Sequence, residues 1–190
     1  KIMKIFIFED TAEEAEKAKI AAETAGHEAV VVDAVLRIAL SDEELIATKT
    51  ATEEEIPPPG PMGLLIFQMN QEAAKEPSFI INRERQIARD NIWKTMKEIV
   101  SLQSSGESVG IITDLMFRLK TGELTPSGLL IMSHAVSHGI PVCICTDCDR
   151  HGDDAGFIFD GYIQSIGDEA VFSFDSTKNW SNAVEDISKM

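Results

Sequence analysis

The sequence predicts an α/β fold: a doubly wound, five-stranded parallel sheet covered by helices on both faces, in three layers, α-β-α. Three observations carry the prediction. Short, β-rich apolar runs recur at 2–8, 28–33, 109–113, 140–146 and 170–174, and most are continuous rather than alternating, as in strands buried on both faces. Segments with apolar residues at helical spacing lie between or after them. The first strand, helix and strand fit inside residues 2–33, the span of one βαβ unit, whose crossover should be right-handed.

Each element has its own local reason. Ile2 to Phe8 is the first strand, and Glu9-Asp10-Thr11 stops it. Ala12 to Ala25 is rich in helix formers with Ala15, Ala18 and Ala22 on one side, and Gly26 is a natural stop. Glu28 to Asp33 is the second strand. Ser41-Asp42-Glu43-Glu44-Leu45 reads as a helix start with acidic residues in its first turn. Thr48 to Pro61, with Glu53-Glu54-Glu55 and Pro57-Pro58-Pro59-Gly60-Pro61, reads as a stiff surface excursion, most simply a solvated loop. Leu64 to Met69 is a short apolar run, helix or strand. Asn82 to Ser101 has a helical pattern through Ile87, Trp93, Met96, Ile99 and Val100, and packing on the sheet is favoured over partner docking for that stripe. Val109 to Thr113 is a strand ending at Asp114. Pro126 to Ser137 is a helix with Leu129, Leu130, Met132 and Val136 inside, closed by Gly139. Ile140 to Thr146 is a buried strand with Pro141 tolerated at its start. Residues 147–170 are polar and loop-rich around Phe157-Ile158-Phe159. Ala170 to Phe174 is the last strand and Trp180 to Met190 the closing helix.

Composition narrows the function classes. The chain has 190 residues, 44% of them hydrophobic, which suits a single domain with a sizeable core. Its 17 basic and 32 acidic side chains give a formal charge of −15. Such a surface repels phosphate backbones and anionic lipid, so neither nucleic acid nor membrane is an expected partner. No run of about 18 apolar residues is present to span a bilayer, and the apolar start is too short for a signal sequence. Cys143, Cys145 and Cys148 crowd together and cannot frame a secreted fold. A cytoplasmic location is the expectation. Cys143 and Cys145 share one strand face, where burial as small hydrophobes is favoured over zinc ligation with Cys148 and His151. His134 and His138 are four apart on one helix face, a metal pair or a pH-sensitive surface; without a third ligand, an exposed helix face is the favoured reading.

In a doubly wound sheet, ligands bind beyond the carboxyl ends of the strands. Glu9 and Asp10 follow strand one there, Asp114 follows strand three, Thr146 strand four, and Lys178 comes just after the last strand. Three carboxylates suit a hard cation such as Mg²⁺. A carboxylate beside it can attack phosphorus, while a hydroxyl and an ammonium hold the phosphoryl oxygens. A bland reading stands beside each residue: Glu9 and Asp10 as helix caps, Asp114 as a loop carboxylate, Thr146 as a strand end and Lys178 as a solvated surface lysine.

The order Phe8-Glu9-Asp10, Ile111-Ile112-Thr113-Asp114-Leu115-Met116, Pro126-Ser127-Gly128, Ile140 to Thr146 and Lys178 resembles the receiver domain of bacterial two-component response regulators. The resemblance covers residues 1–33 and 108–190. It implies a flavodoxin/CheY-like fold, with Asp114 as phospho-acceptor, Thr146 as switch hydroxyl and Lys178 as the lysine that binds the phosphoryl group. Glu9, Asp10, Asp114 and the carbonyl of Met116 would hold Mg²⁺. The expectation is a stand-alone signalling protein rather than an enzyme, with a sensor histidine kinase or phosphotransfer protein upstream and a protein target downstream. This sequence departs from the pattern in places. The spacing from Asp10 to Asp114 is unusually long, so residues 41–107 read as an insertion within the single domain 1–190. Asp147 stands where receivers carry a small residue, Asn179 replaces the customary proline after the lysine, and the switch aromatic has no clean match near Phe174 and Asp175. A phosphorylation-independent pseudo-receiver is the alternative on the same fold. A Mg²⁺-dependent phosphatase would need an acid at position 116, where Met116 stands.

Overall fold

Five strands run parallel in one sheet. In chain order the elements are β1 (Lys4–Phe8), α1 (Ala12–Thr24), β2 (Glu28–Val31), α2 (Pro77–Ser104), β3 (Val109–Thr113), β4 (Phe117–Arg118), β5 (Leu124–Thr125), α3 (Ser127–Ser137), β6 (Val142–Cys145), β7 (Phe172–Asp175) and α4 (Trp180–Lys189). The computed structural model describes residues 2–32, 77–118, 124–147 and 171–190, with side chains of α2 from 85 onward. The expected helix start at Ser41, the excursion Thr48 to Pro61, the run Leu64 to Met69, and Cys148, His151 and Phe157 to Phe159 lie outside the described residues.

The sheet order is β2-β1-β3-β6-β7, and every neighbouring pair is parallel. This is the predicted five-stranded doubly wound arrangement. Its strand order reverses between β1 and β3: β1 leads outward to β2, whereas β3 leads the other way to β6. That reversal opens a crevice at the carboxyl ends of the two central strands. The ladder carries β1 and β3 to the same level, with Phe8 opposite Thr113, and the Asp114 amide donates to the Phe8 carbonyl at 3.0 Å.

Two cores lie on opposite faces of the sheet because side chains alternate along each strand. Phe6 and Phe8, Val109 and Ile111, Val142 and Ile144 pack against α2 and α3 through Ala88, Ile92, Met96, Ile99, Ile131, Met132 and Ala135. Ile5 and Ile7, Ile112, Cys143 and Cys145 pack against α1 and α4 through Ala18, Ala22, Trp180, Ala183, Val184 and Ile187. Met96 and Ile99 are fully buried and Trp93 packs against the same core, so the apolar stripe of α2 is packing. This helix is longer at both ends than the expected 82–101, and the C-terminal part of the stretch 41–107 therefore covers the sheet.

In α3 the buried stripe is Gly128, Ile131, Met132 and Ala135. Leu130, expected inside, is 44% exposed. Its helix is rotated by the close seat of Gly128 on the backbone after β3. A second feature that sequence periodicity does not show is the antiparallel hairpin β4–β5, paired Phe117 with Thr125 and Arg118 with Leu124. Two-residue strands are too short to carry an alternation signal.

Cys143 and Cys145 are free and fully buried. Burial pushes the Cys143 thiol up to about 12 and raises that of Cys145 further, so neither forms thiolate near neutrality. Iodoacetamide is therefore expected to leave both unmodified in the native protein and to alkylate them in urea, as peptide mapping would read. Alkylation of either in the folded state would contradict this packing. Among the described residues, no helix is long and apolar enough to cross a membrane.

Candidate functional site

The carboxyl ends of β1 and β3 gather acids because both strands stop at the same level and each is followed at once by a carboxylate. Glu9 and Asp10 follow Phe8; Asp114 follows Thr113. Oxygens from all three lie within 4.8 Å of one another. Glu9 and Asp114 are buried and Asp10 is half-buried. Three carboxylates this close could hold a metal ion.

Asp114 is fixed through both oxygens. Its Oδ1 accepts from the Leu115 amide at 2.6 Å and from the Met116 amide at 3.4 Å. Its Oδ2 accepts from the Lys178 ammonium at 2.7 Å. Met116 thus reaches the site through its backbone, in the turn that follows the acid. Asp10 accepts from the Arg118 amide at the start of the hairpin and from the Thr11 hydroxyl at 3.3 Å. The hairpin is a part of the site that sequence reasoning missed, since a backbone amide leaves no residue signature.

Glu9 is the least settled group. Its Oε1 accepts from the Thr11 amide at 3.0 Å, a link into the start of α1. Its Oε2 is buried with no hydrogen-bond partner, although the Lys178 Nζ stands 3.3 Å away as an ion pair. Burial, then the charge of Asp114, pushes the Glu9 carboxyl up to about 8; Lys178 opposes this without cancelling it. A buried carboxylate oxygen without a well-aligned donor costs free energy, and a cation would supply a partner beyond the Lys178 ion pair. The donor set, oxygen only, suits a hard dication better than a soft one.

Lys178 arrives on a turn shaped by its neighbours. Asp175 Oδ1 accepts from the Thr177 amide at 2.8 Å, the Thr177 hydroxyl at 2.7 Å and the Asn179 amide at 3.3 Å. Asn179 Oδ1 then accepts from the Ser181 and Asn182 amides at 3.1 and 3.2 Å, capping α4. Between these two side chains Lys178 takes φ +51, a left-handed backbone uncommon outside glycine. Asn179, which departs from the receiver pattern, serves here as the helix N-cap. Asp175 anchors the turn. Burial works against the Lys178 charge, but Asp114 and Glu9 outweigh it and raise its pKa, so the ammonium is permanent.

Thr146 is fully buried at the end of β6. Its amide donates to the Asp175 carbonyl at 2.9 Å and its carbonyl accepts from the Lys178 amide at 3.1 Å, so its backbone ties the lysine turn to the sheet. Asp147 is exposed, which leaves its charge to solvent. Trp180 Nε1 donates to Glu14 Oε2 at 2.8 Å and joins α4 to α1 beneath the site. The structure therefore brings Glu9, Asp10, Asp114 and Lys178 into one group, sets the Met116 amide on it, and places Thr146 beside it through the backbone.

No protein-family model, curated protein or solved structure matches the chain.

Proposed function

We propose that the protein is a receiver-type phospho-acceptor: Asp114 takes a phosphoryl group in a Mg²⁺-dependent phosphorelay, and the chain signals through protein partners. The observation that carries this reading is the lysine bridge. Lys178 Nζ sits 2.7 Å from Asp114 Oδ2 and 3.3 Å from Glu9 Oε2 at the switch point of the sheet. A permanent ammonium on one carboxylate oxygen is ready to follow a phosphoryl oxygen that bonds there.

Glu9, Asp10 and Asp114, with the Met116 carbonyl, would hold the cation, which supplies charge neutralisation on the phosphoryl oxygens. The protein's own part is positioning. The Leu115 and Met116 amides hold Asp114 Oδ1, leaving Oδ2 to attack phosphorus. The new bond is O–P, and the bond that breaks joins phosphorus to a donor nitrogen or oxygen, which leaves with the electron pair. Lys178 offsets the charge that accumulates, and the Thr146 hydroxyl is the further donor in this reading. An upstream sensor histidine kinase or phosphotransfer protein would present the phosphoryl group, and a downstream protein target would read it.

Intact mass after incubation with acetyl phosphate and Mg²⁺ tests the reading. One phosphoryl adduct is expected on the wild type and none on Asp114→Asn. An adduct on both places the acceptor elsewhere. No adduct on either, in folded protein, transfers the reading to a phosphorylation-independent interaction module.

A further inference from the structure

The far end of α3 carries two imidazoles that the carboxylate edge does not use. His134 and His138 stand with ring centroids 4.3 Å apart, tilted by 47°. Residues four apart share one helix face, which brings both rings to a common point. The His134 ring meets the Trp93 ring of α2 at 4.8 Å and 86°, so a neighbouring helix holds it.

The tautomer of His138 follows from its partners. Its Nδ1 lies 2.9 Å from the His134 carbonyl oxygen and 3.0 Å from the Ser137 hydroxyl. A carbonyl only accepts, so Nδ1 bears the proton. The Ser137 hydroxyl donates to the same carbonyl at 2.8 Å, which agrees with that assignment. Nε2 of the exposed ring keeps its lone pair. Metal-bound histidines are oriented in this way, one ring nitrogen donating to a carbonyl and the other ligating. The pair also sits at the helix C-terminus, where the partial negative charge of the backbone favours a cation.

We propose that His134 and His138 form a two-imidazole site for a divalent transition cation, with Cu²⁺ bound most tightly. Imidazole nitrogens select copper, nickel and zinc over magnesium, and copper leads the divalent series. Water completes the coordination sphere at this exposed position. The site is chemically distinct from the oxygen-only carboxylate cluster. The helix α3 begins against the backbone of Asp114 and carries the two histidines at its other end, so the two centres are separate.

Trp93 reports on the site directly, because paramagnetic Cu²⁺ quenches an indole that close. In a Trp180→Phe background, which leaves Trp93 as the chain's one tryptophan, Cu²⁺ is expected to give saturable quenching that excess Mg²⁺ leaves unchanged. His134→Gln and His138→Gln should each weaken the apparent affinity by about tenfold or more, and Ni²⁺ should bind more weakly than Cu²⁺. Unaltered quenching in both histidine variants, or displacement by Mg²⁺, overturns the proposal. Should a variant fail to fold, Cu²⁺ electron paramagnetic resonance at one equivalent on the wild type decides: coupling to two imidazole nitrogens supports the site, and coupling to fewer refutes it.

Discussion

Gly128→Ala is expected to destabilise the protein by about 3 kcal/mol and to disturb Asp114 with it. Helix propensity alone argues the opposite, because alanine is favoured over glycine in a helix by about 1 kcal/mol. Sterics decide the outcome. A Cβ on Gly128 would stand 2.1 Å from the Asp114 carbonyl oxygen and 2.8 Å from the Leu115 Cα. Both are backbone atoms of the turn that carries the acid, so no side-chain rotation relieves the clash. The Gly128 amide also donates to the Leu115 carbonyl at 3.1 Å, and a shift of α3 would break that link. Gly110 provides the contrast. A Cβ there would meet Met3 Sδ at 2.5 Å and Ile187 Cδ1 at 3.3 Å, both side-chain atoms, and Met3 can turn aside. Urea midpoints of the two alanine variants should rank with Gly128→Ala far the lower. Equal midpoints would show that the turn after β3 yields easily.

The second large effect is in the pH dependence of stability. The folded Glu9 carboxyl titrates at about 8 against an ordinary value of 4.5. Between those values the native state binds more protons than the unfolded state, so Glu9 makes stability fall as pH rises. Its contribution is fully present below about 4.5 and is lost through about 8. Glu9→Gln keeps the shape and removes the charge. Without divalent ions, the variant should match the wild type near the acid end of that window. Near the alkaline end it should exceed it by on the order of 1–3 kcal/mol. Glu14 and Asp175, whose pKa values are lowered, contribute with the opposite sign but equally in both proteins. Their effect cancels in the difference. Added Mg²⁺ should stabilise the wild type more than Glu9→Gln, which keeps only Asp10 and Asp114 of the three carboxylates. Parallel stability curves for the two proteins across the window would mean that Glu9 is well solvated or well paired.

The sheet and its order of elements follow from local signals in the chain. Continuous apolar runs such as Lys4 to Phe8 and Val109 to Thr113 admit few arrangements other than strands buried on both faces. The acids Glu9, Asp10 and Asp114 come to one edge because a parallel sheet sends every strand end the same way. Position along the chain therefore identifies them. What stayed hidden rests on backbone groups and on tertiary choice. The Arg118 amide on Asp10 belongs to no side-chain pattern, and the hairpin that carries it is too short to show a period. Leu130 has the hydropathy of a core residue, but the seat of Gly128 rotates it outward. The left-handed turn at Lys178 depends on Asp175 and Asn179 together, and neither residue type alone announces it.

The alternation of side chains through the sheet has an evolutionary consequence. Phe6 and Phe8 answer to α2 and α3, and Ile5 and Ile7 to α1 and α4, with the backbone between them. Substitutions on one face share no partners with those on the other, so their effects should add rather than interact. Each layer is then free to drift in sequence on its own schedule. The exception is the rim where Glu9 and Asp114 leave the strands and Lys178 comes over from the α4 side to meet them. There alone, among these elements, the two histories have to stay in step.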